Sequence, residues 1–450
     1  MNWSSEDIRR AIDGLRAKLA RKEDLGLQEA FDAGLHPNLL AYGKLGECMP
    51  SVPIIDKYLI GATSFLHQPS NYYDIFRACR CVNIIHVLDA ALVTLLKKGV
   101  AGLGSRMERL ARETEHDRLD AVVFELLTAA RYAEQPAVQH VEFIEQDPAK
   151  KTPDFLIRAG GVESAVECKK VDRAQNFTVL IRNAVRDDLN AVIASFRGRR
   201  VSALADVVYN CDPQKVERGK LVAACNEALD KRTRIIEPDF NVTAVPLKPW
   251  ESKTYTLYPS AFFQWHRYGY RIRSEWFGIV NQMIGSMARR ANLPARLRGG
   301  VSAWLNEIDW DAAVKWRVSS EEVVAKYRRF AFDGVFKAIE QLKGCGPNST
   351  VHLWLESEYS VGGRRATLVD LLGRIGAKAQ DIFGWILVNE TLFDISPKGH
   401  FDMIEHAHFI RGPSATTKEP RVYSVFTPDE TGEDGAQFGV GKELPDIDAE

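Results

Sequence analysis

Apolar positions fall at helical spacing through the first 118 residues and change to strand spacing only after Pro136. Ser5 is placed to cap a first helix running to Arg21, and Leu25–Ala33 suggests another. A long helix over Tyr72–Lys98 ends at Gly99, with Lys97 and Lys98 in its last turn. Its most apolar part, Val82–Leu96, contains Asn83, His86 and Asp89, which marks a buried helix and not a membrane span. Ser105-Arg106-Met107-Glu108 has capping-box spacing and opens the next helix. The pattern then predicts a helix over Leu119–Glu134, strands over Ala137–Glu145, Pro153–Arg158 and Val162–Val171, and a helix over Phe177–Phe196.

Further along, Val201–Asn210 reads as a strand and Asp212–Asp230 as loop and helix. Pro246, Pro249 and Pro259 suit loops or edge strands over Phe240–Pro259. Ser320–Leu342 is a strong amphipathic helix, and Val351–Glu356 and Trp385–Leu392 are buried strands separated by a helix from about Ala366 to Ile382. From Pro413 the chain is rich in Gly, Pro, Thr and acids, the composition of a disordered tail. The expected organisation is a helical region over 1–118, suited to oligomerisation or DNA binding, a mixed α/β core over 119–412 and an acidic tail over 413–450.

Composition changes this picture little. The chain has 450 residues, 45% of them hydrophobic and 26% charged, as in soluble globular proteins of two or three domains. Its net charge of −1 hides an uneven distribution: Tyr255–Gly300 carries +6 and Thr427–Glu450 carries −7. A basic segment and an acidic tail fit a protein that meets a polyanion. Seven scattered cysteines without a CxxC pair read as reduced thiols, and the charged N-terminal stretch is unlike a signal peptide, so a cytoplasmic location is expected.

The chemistry concentrates between Lys151 and Lys170. Gly160-Gly161 is a two-residue hairpin turn signal, since both glycines can take positive φ. With that turn, Ala159 pairs with Val162 and the register carries Asp154 opposite Glu167. Lys169 lies two residues beyond Glu167 and so projects from the same face. Two carboxylates and a lysine on one face suit a metal site. Mg²⁺ takes hard oxygen ligands, typically one or two carboxylates with several waters, and the main-chain carbonyl of Cys168 could add a third oxygen. Lys169 is a compact cation able to orient an attacking water.

Pro153-Asp154 followed by Glu167-Cys168-Lys169, with twelve residues between the acids, resembles the PD-(D/E)XK nuclease superfamily. The resemblance covers roughly residues 119 to 200. It implies a restriction-endonuclease-like αβββαβ core with a mixed central sheet, and a glutamate on the helix before the first strand. Glu125 stands there, flanked by Phe124, Leu126 and Leu127, and the resemblance implies that it helps to hold metal or water. Two completions of the sheet remain open. Either Phe177–Phe196 and Val201–Asn210 supply the next helix and strand, or an insertion occupies residues 175 to about 315, or around 200–315 if it starts after the helix. In the second case Ser320–Leu342, Val351–Glu356 and Trp385–Leu392 close the core.

Trp265, Arg267, Tyr268, Arg271 and Arg273 interleave aromatics with arginines and are candidates for nucleic-acid contact, with Arg289, Arg290, Arg296 and Arg298 as weaker ones. His400, Asp402, His406 and His408 read as a polar sheet face, Cys79 and Cys81 as core, and Cys168 as a packed thiol. The function expected is a Mg²⁺-dependent endodeoxyribonuclease, with Mn²⁺ able to substitute, acting on duplex DNA in bacterial restriction or anti-phage defence. A homodimer would let two sites cut both strands, and any ATP requirement would fall to a separate ATPase or defence partner. The alternatives are a nucleic-acid-binding regulator without turnover and an RNase.

Overall fold

The computed structural model describes residues 5–20, 53–67, 75–145, 152–171, 175–257, 267–269, 278–288, 304–320, 322–323, 335–342, 345, 348–357, 384–395, 401–412, 422, 424–426 and 437–438. These form a mixed α/β structure with two mixed sheets. Helices α1 (Ser5–Lys18), α2 (Ile54–His67), α3 (Ile75–Lys98), α4 (Leu103–Arg112) and α5 (His116–Glu134) precede strands β1 (Val138–Phe143), β2 (Phe155–Ala159) and β3 (Val162–Val171). Next come α6 (Gln175–Gly198), β4 (Ala203–Tyr209), α7 (Arg218–Lys231), β5 (Ile235–Ile236), β6 (Phe240–Pro246), β7 (Trp250–Leu257), β8 (Gly278–Ala288) and β9 (Trp304–Val318). A helical stretch at 335–341 leads to β10 (Thr350–Ser357), β11 (Trp385–Ile395), β12 (Phe401–Arg411) and β13 (Gln437–Phe438).

The first sheet runs β1-β2-β3-β10-β11-β12-β13. Gly160 (φ 60°) and Gly161 (φ 79°) make the tight turn between β2 and β3, and the register pairs Ala159 with Val162 through to Phe155 with Val166. Strand β10 lies parallel to β3, with Thr350 beside Val166, and β11 lies parallel to β10. Of the two completions, the sheet takes the second. Val201–Asn210 is a strand, but β4 pairs with β6 and β9 and not with β3. The material between β3 and β10 is a folded unit with its own core. In that core, Leu189, Val192 and Phe196 of α6 pack with Val207, Tyr209, Val242 and Trp316 of the second sheet. The unit begins at α6, earlier than residue 200.

Both faces of the first sheet are covered, which is why its central strands read as apolar runs. Val351, Leu353, Ile386 and Val388 pack under Val335, Ala338 and Ile339, while Phe155, Val166 and Trp354 face α5. That second core also contains Ile8 and Leu15 of α1, Leu59 of α2 and Leu88 of α3. The described N-terminal helices therefore share the sheet's core, and residue 118 lies inside α5. The tail differs from its composition too. Val422, Val425 and Phe426 are buried, with Phe426 stacked 5.9 Å from Phe124 and tilted 4.7 Å from Trp354. Glu405 accepts the amides of Val425 and Phe426 at 2.8 and 3.0 Å.

Helix α4 starts two residues before the predicted capping box. Gly102 is its N-cap, in the left-handed region, where a Cβ would meet the Phe143 carbonyl oxygen at 2.5 Å. Ser105 Oγ donates to the Gly102 carbonyl instead of capping the helix. The helices predicted over Leu25–Ala33 and from Ala366 to Ile382 lie outside the described residues.

Candidate active site

The β2–β3 ribbon opens at Asp154. Its amide still donates to Val166 O at 3.1 Å, but its side chain then takes over the pairing, with Oδ2 accepting the Cys168 amide at 2.7 Å. This fixes the Asp154 carboxylate beside the main chain of the strand that bears Glu167 and Lys169. Glu125 approaches from α5, whose apolar residues around it are buried against the core. Glu125, Asp154, Glu167, Cys168, Lys169 and Lys170 line one cavity of about 450 Å³, completed by Arg106, Arg109, Asp117, Ala121 and Gln341.

The two adjacent lysines have different surroundings. Lys170 is buried, paired with Asp120 and lying 5.0 Å over the Trp354 ring. Asp120 also holds Arg80 at 2.6 Å and the Tyr58 hydroxyl at 3.1 Å, so this network braces α5 against β3. Lys169 is 36% exposed and stands 4.0 Å from Glu167 Oε1.

Sequence reasoning missed two cations. Arg106 and Arg109, one turn apart on α4, face Glu125 at 2.9 and 3.5 Å. The Arg106 side chain is 5% exposed, donates to the carbonyls of Ile144 and Asp154, and lies over the Phe143 ring. A capping-box reading treats such arginines as solvated. The i, i+3 spacing was the available signal, but their partner lies on the next helix.

Burial outweighs the cations that surround the acids. Burial, then the charge of Asp154, pushes Glu125 up to about 8 despite both arginines and Lys169. Burial and Asp154 push Glu167 up to about 10. Asp154 itself is raised by burial, against the pull of the Cys168 amide, Arg106 and Lys169. Glu167 Oε2 is buried without a hydrogen-bond partner. A hard divalent cation fits the oxygen donors of Asp154 and Glu167, because Mg²⁺ takes carboxylate oxygens and would displace the protons that burial favours. Among the described residues, no three His, Cys, Asp or Glu side chains stand in a ready metal-holding group. Asp154 and Glu167 are the pair at hand, while Glu125 leans to the α4 arginines. Burial also raises the Cys168 thiol well above its ordinary range, consistent with a packed and unreactive group.

The arginine-aromatic segment divides. Arg267 holds Asp311 through two 2.8 Å hydrogen bonds and also donates to Lys248 O, with only 8% of its side chain exposed. Tyr268 is buried. Both belong to the second unit's interior, so they leave the set of candidate nucleic-acid contacts. Trp265, Arg271, Arg273, Arg289, Arg290, Arg296, Arg298 and His400 lie outside the described residues. Among the described residues no helix is long and apolar enough to cross a membrane. Compared with family models, curated proteins and solved structures, the chain matches none.

Proposed function

We propose that this protein is a Mg²⁺-dependent endonuclease of the PD-(D/E)XK type, with a restriction-endonuclease-like core, that hydrolyses DNA phosphodiester bonds. One observation carries the reading: Asp154, Glu167 and Lys169, spaced as the motif requires, converge with Glu125 in one cavity where burial raises all three carboxylates. Asp154, Glu167 and the Cys168 carbonyl would hold Mg²⁺, with Mn²⁺ able to replace it. A bound ion supplies neutralisation of the phosphate and a more acidic water. Lys169 orients the water for in-line attack. Its oxygen bonds to phosphorus as the P–O3′ bond breaks, and a proton passes to the leaving oxygen, giving 5′-phosphate and 3′-hydroxyl ends. Glu125, held by Arg106, would help to hold the metal or its water.

The test is cleavage of plasmid, linear duplex, single-stranded DNA and RNA with Mg²⁺, Mn²⁺ or EDTA. Asp154→Asn, Glu167→Gln and Lys169→Met should each lower the cleavage rate by about 10²–10³-fold, the scale of losing one electrostatic stabiliser of a transition state. Full activity in these variants would overturn the assignment. Cleavage of RNA alone would move the substrate class. A second reading, nucleic-acid binding without turnover, is favoured by the engagement of Glu125 with two arginines. It predicts metal-independent binding and no cut product with any ion.

A further inference from the structure

Resting on that reading, the geometry points to Arg109 as the residue that grips the scissile phosphodiester, and to Arg106 as the positioning residue behind it. The two arginines sit one turn apart on α4 yet have different surroundings. Arg106 is nearly fully buried, and its Nη2 is spent on the carbonyls of Ile144 and Asp154. It joins α4 to the turn that presents the Asp154 carboxylate. Arg109 is 37% exposed, lines the cavity and lowers Asp154 by its charge, and its side chain's ion pair with Glu125 Oε1 is 3.5 Å long, too long for a good hydrogen bond. Its donors are therefore available on the open side of the cavity.

Lys169, from β3, is the comparable group in the same lining, also about one-third exposed and 4.0 Å from the Glu167 carboxylate. A guanidinium fork matches two non-bridging phosphate oxygens, whereas an ammonium acts as a point charge. Arg109 is thus suited to hold the phosphate in plane while Lys169 attends to the water. The anion must carry oxygens for the fork and enter an open cleft, which a phosphodiester backbone does. Arg112, on the same helix, points away: its side chain is 79% exposed and pairs with Glu108.

The test compares wild type, Arg109→Ala, Arg109→Lys and Arg112→Ala. Binding of a fluorescent DNA duplex is titrated in EDTA at several NaCl concentrations, and cleavage is measured with Mg²⁺. Arg109→Ala should bind more weakly, with a salt slope smaller by about one. Arg109→Lys should keep the slope but lose at least about 10-fold in kcat, because the fork is gone while the charge stays. Arg112→Ala should follow wild type. Arg109→Ala acting like wild type in both assays overturns the inference and leaves the nuclease reading intact. So does an equal loss in Arg112→Ala, which would show a general field of the helix. If wild type binds but never cleaves, the nuclease reading fails and the binding arm still decides Arg109. If wild type neither binds nor cleaves, both fail. Should Arg109→Ala unfold, Arg109→Gln repeats the comparison with a side chain of similar length.

Discussion

In the second sheet, Asp311 on β9 receives both arms of Arg267, and Lys315 on the same strand reaches Asp206 at 3.3 Å. In the first sheet, Glu125, Asp154 and Glu167 crowd one cavity, and burial with mutual repulsion drives Glu167 up to about 10. Both regions bury charge, so burial alone does not mark a site. The difference lies in completeness. Pairing an acid with a cation at hydrogen-bond distance yields a strut, whereas Glu167, 4.0 Å from Lys169 and with a buried Oε2 left without a hydrogen bond, marks a place for a ligand.

Arg267→Ala breaks this comparison hardest on the structural side. It strands Asp311, which is 1% exposed, and should cost about 3–5 kcal/mol in urea unfolding. Replacing both, as Arg267→Met with Asp311→Leu, should recover most of that loss. If the single variant is as stable as wild type, the strut interpretation is wrong.

The incomplete site should respond to cation instead. At a hundredfold excess over Kd, Mg²⁺ should raise wild-type stability by about 2.7 kcal/mol and leave Asp154→Asn with Glu167→Gln unmoved. In EDTA the sign with pH follows from raised carboxylates. Glu125 and Glu167 bind protons more tightly folded than unfolded, so stability is fully present below about pH 4.5. It declines as pH rises through about 8 for Glu125 and about 10 for Glu167. Unfolding midpoints measured from pH 5 to pH 9 should fall in wild type and flatten in the double variant with Glu125→Gln and Glu167→Gln. The smallest effect belongs to the exposed cross-strand pair Arg158–Glu163, 3.1 Å apart near the hairpin tip, whose removal should cost below about 1 kcal/mol.

The hairpin and its acids were legible because local chemistry dictates them. Two glycines set the turn, the turn sets the register, and the register sets the face. Glu125 was legible as a charge in an apolar helix. The second unit was read only in part, since β8 and β9 were not recognised. Asp311 and Lys315 argue against a central strand until Arg267 and Asp206 arrive from elsewhere in the chain. Arg106 and Arg109 were hidden for the same reason, their partners being supplied by tertiary structure. In the tail, acids and glycines masked three apolar residues that fill a hole beside Phe124 and Trp354.

The parallel pairing of Val166 with Thr350 has a consequence for biosynthesis. The strand bearing Glu167 and Lys169 gains its inner neighbour only after the whole inserted unit has been translated. Such long-range closure is slow and comes late. A nascent chain halted within the insertion would display Glu167 and Lys169 on an unsupported ribbon, so few fragments with an assembled cavity would exist before synthesis is nearly finished.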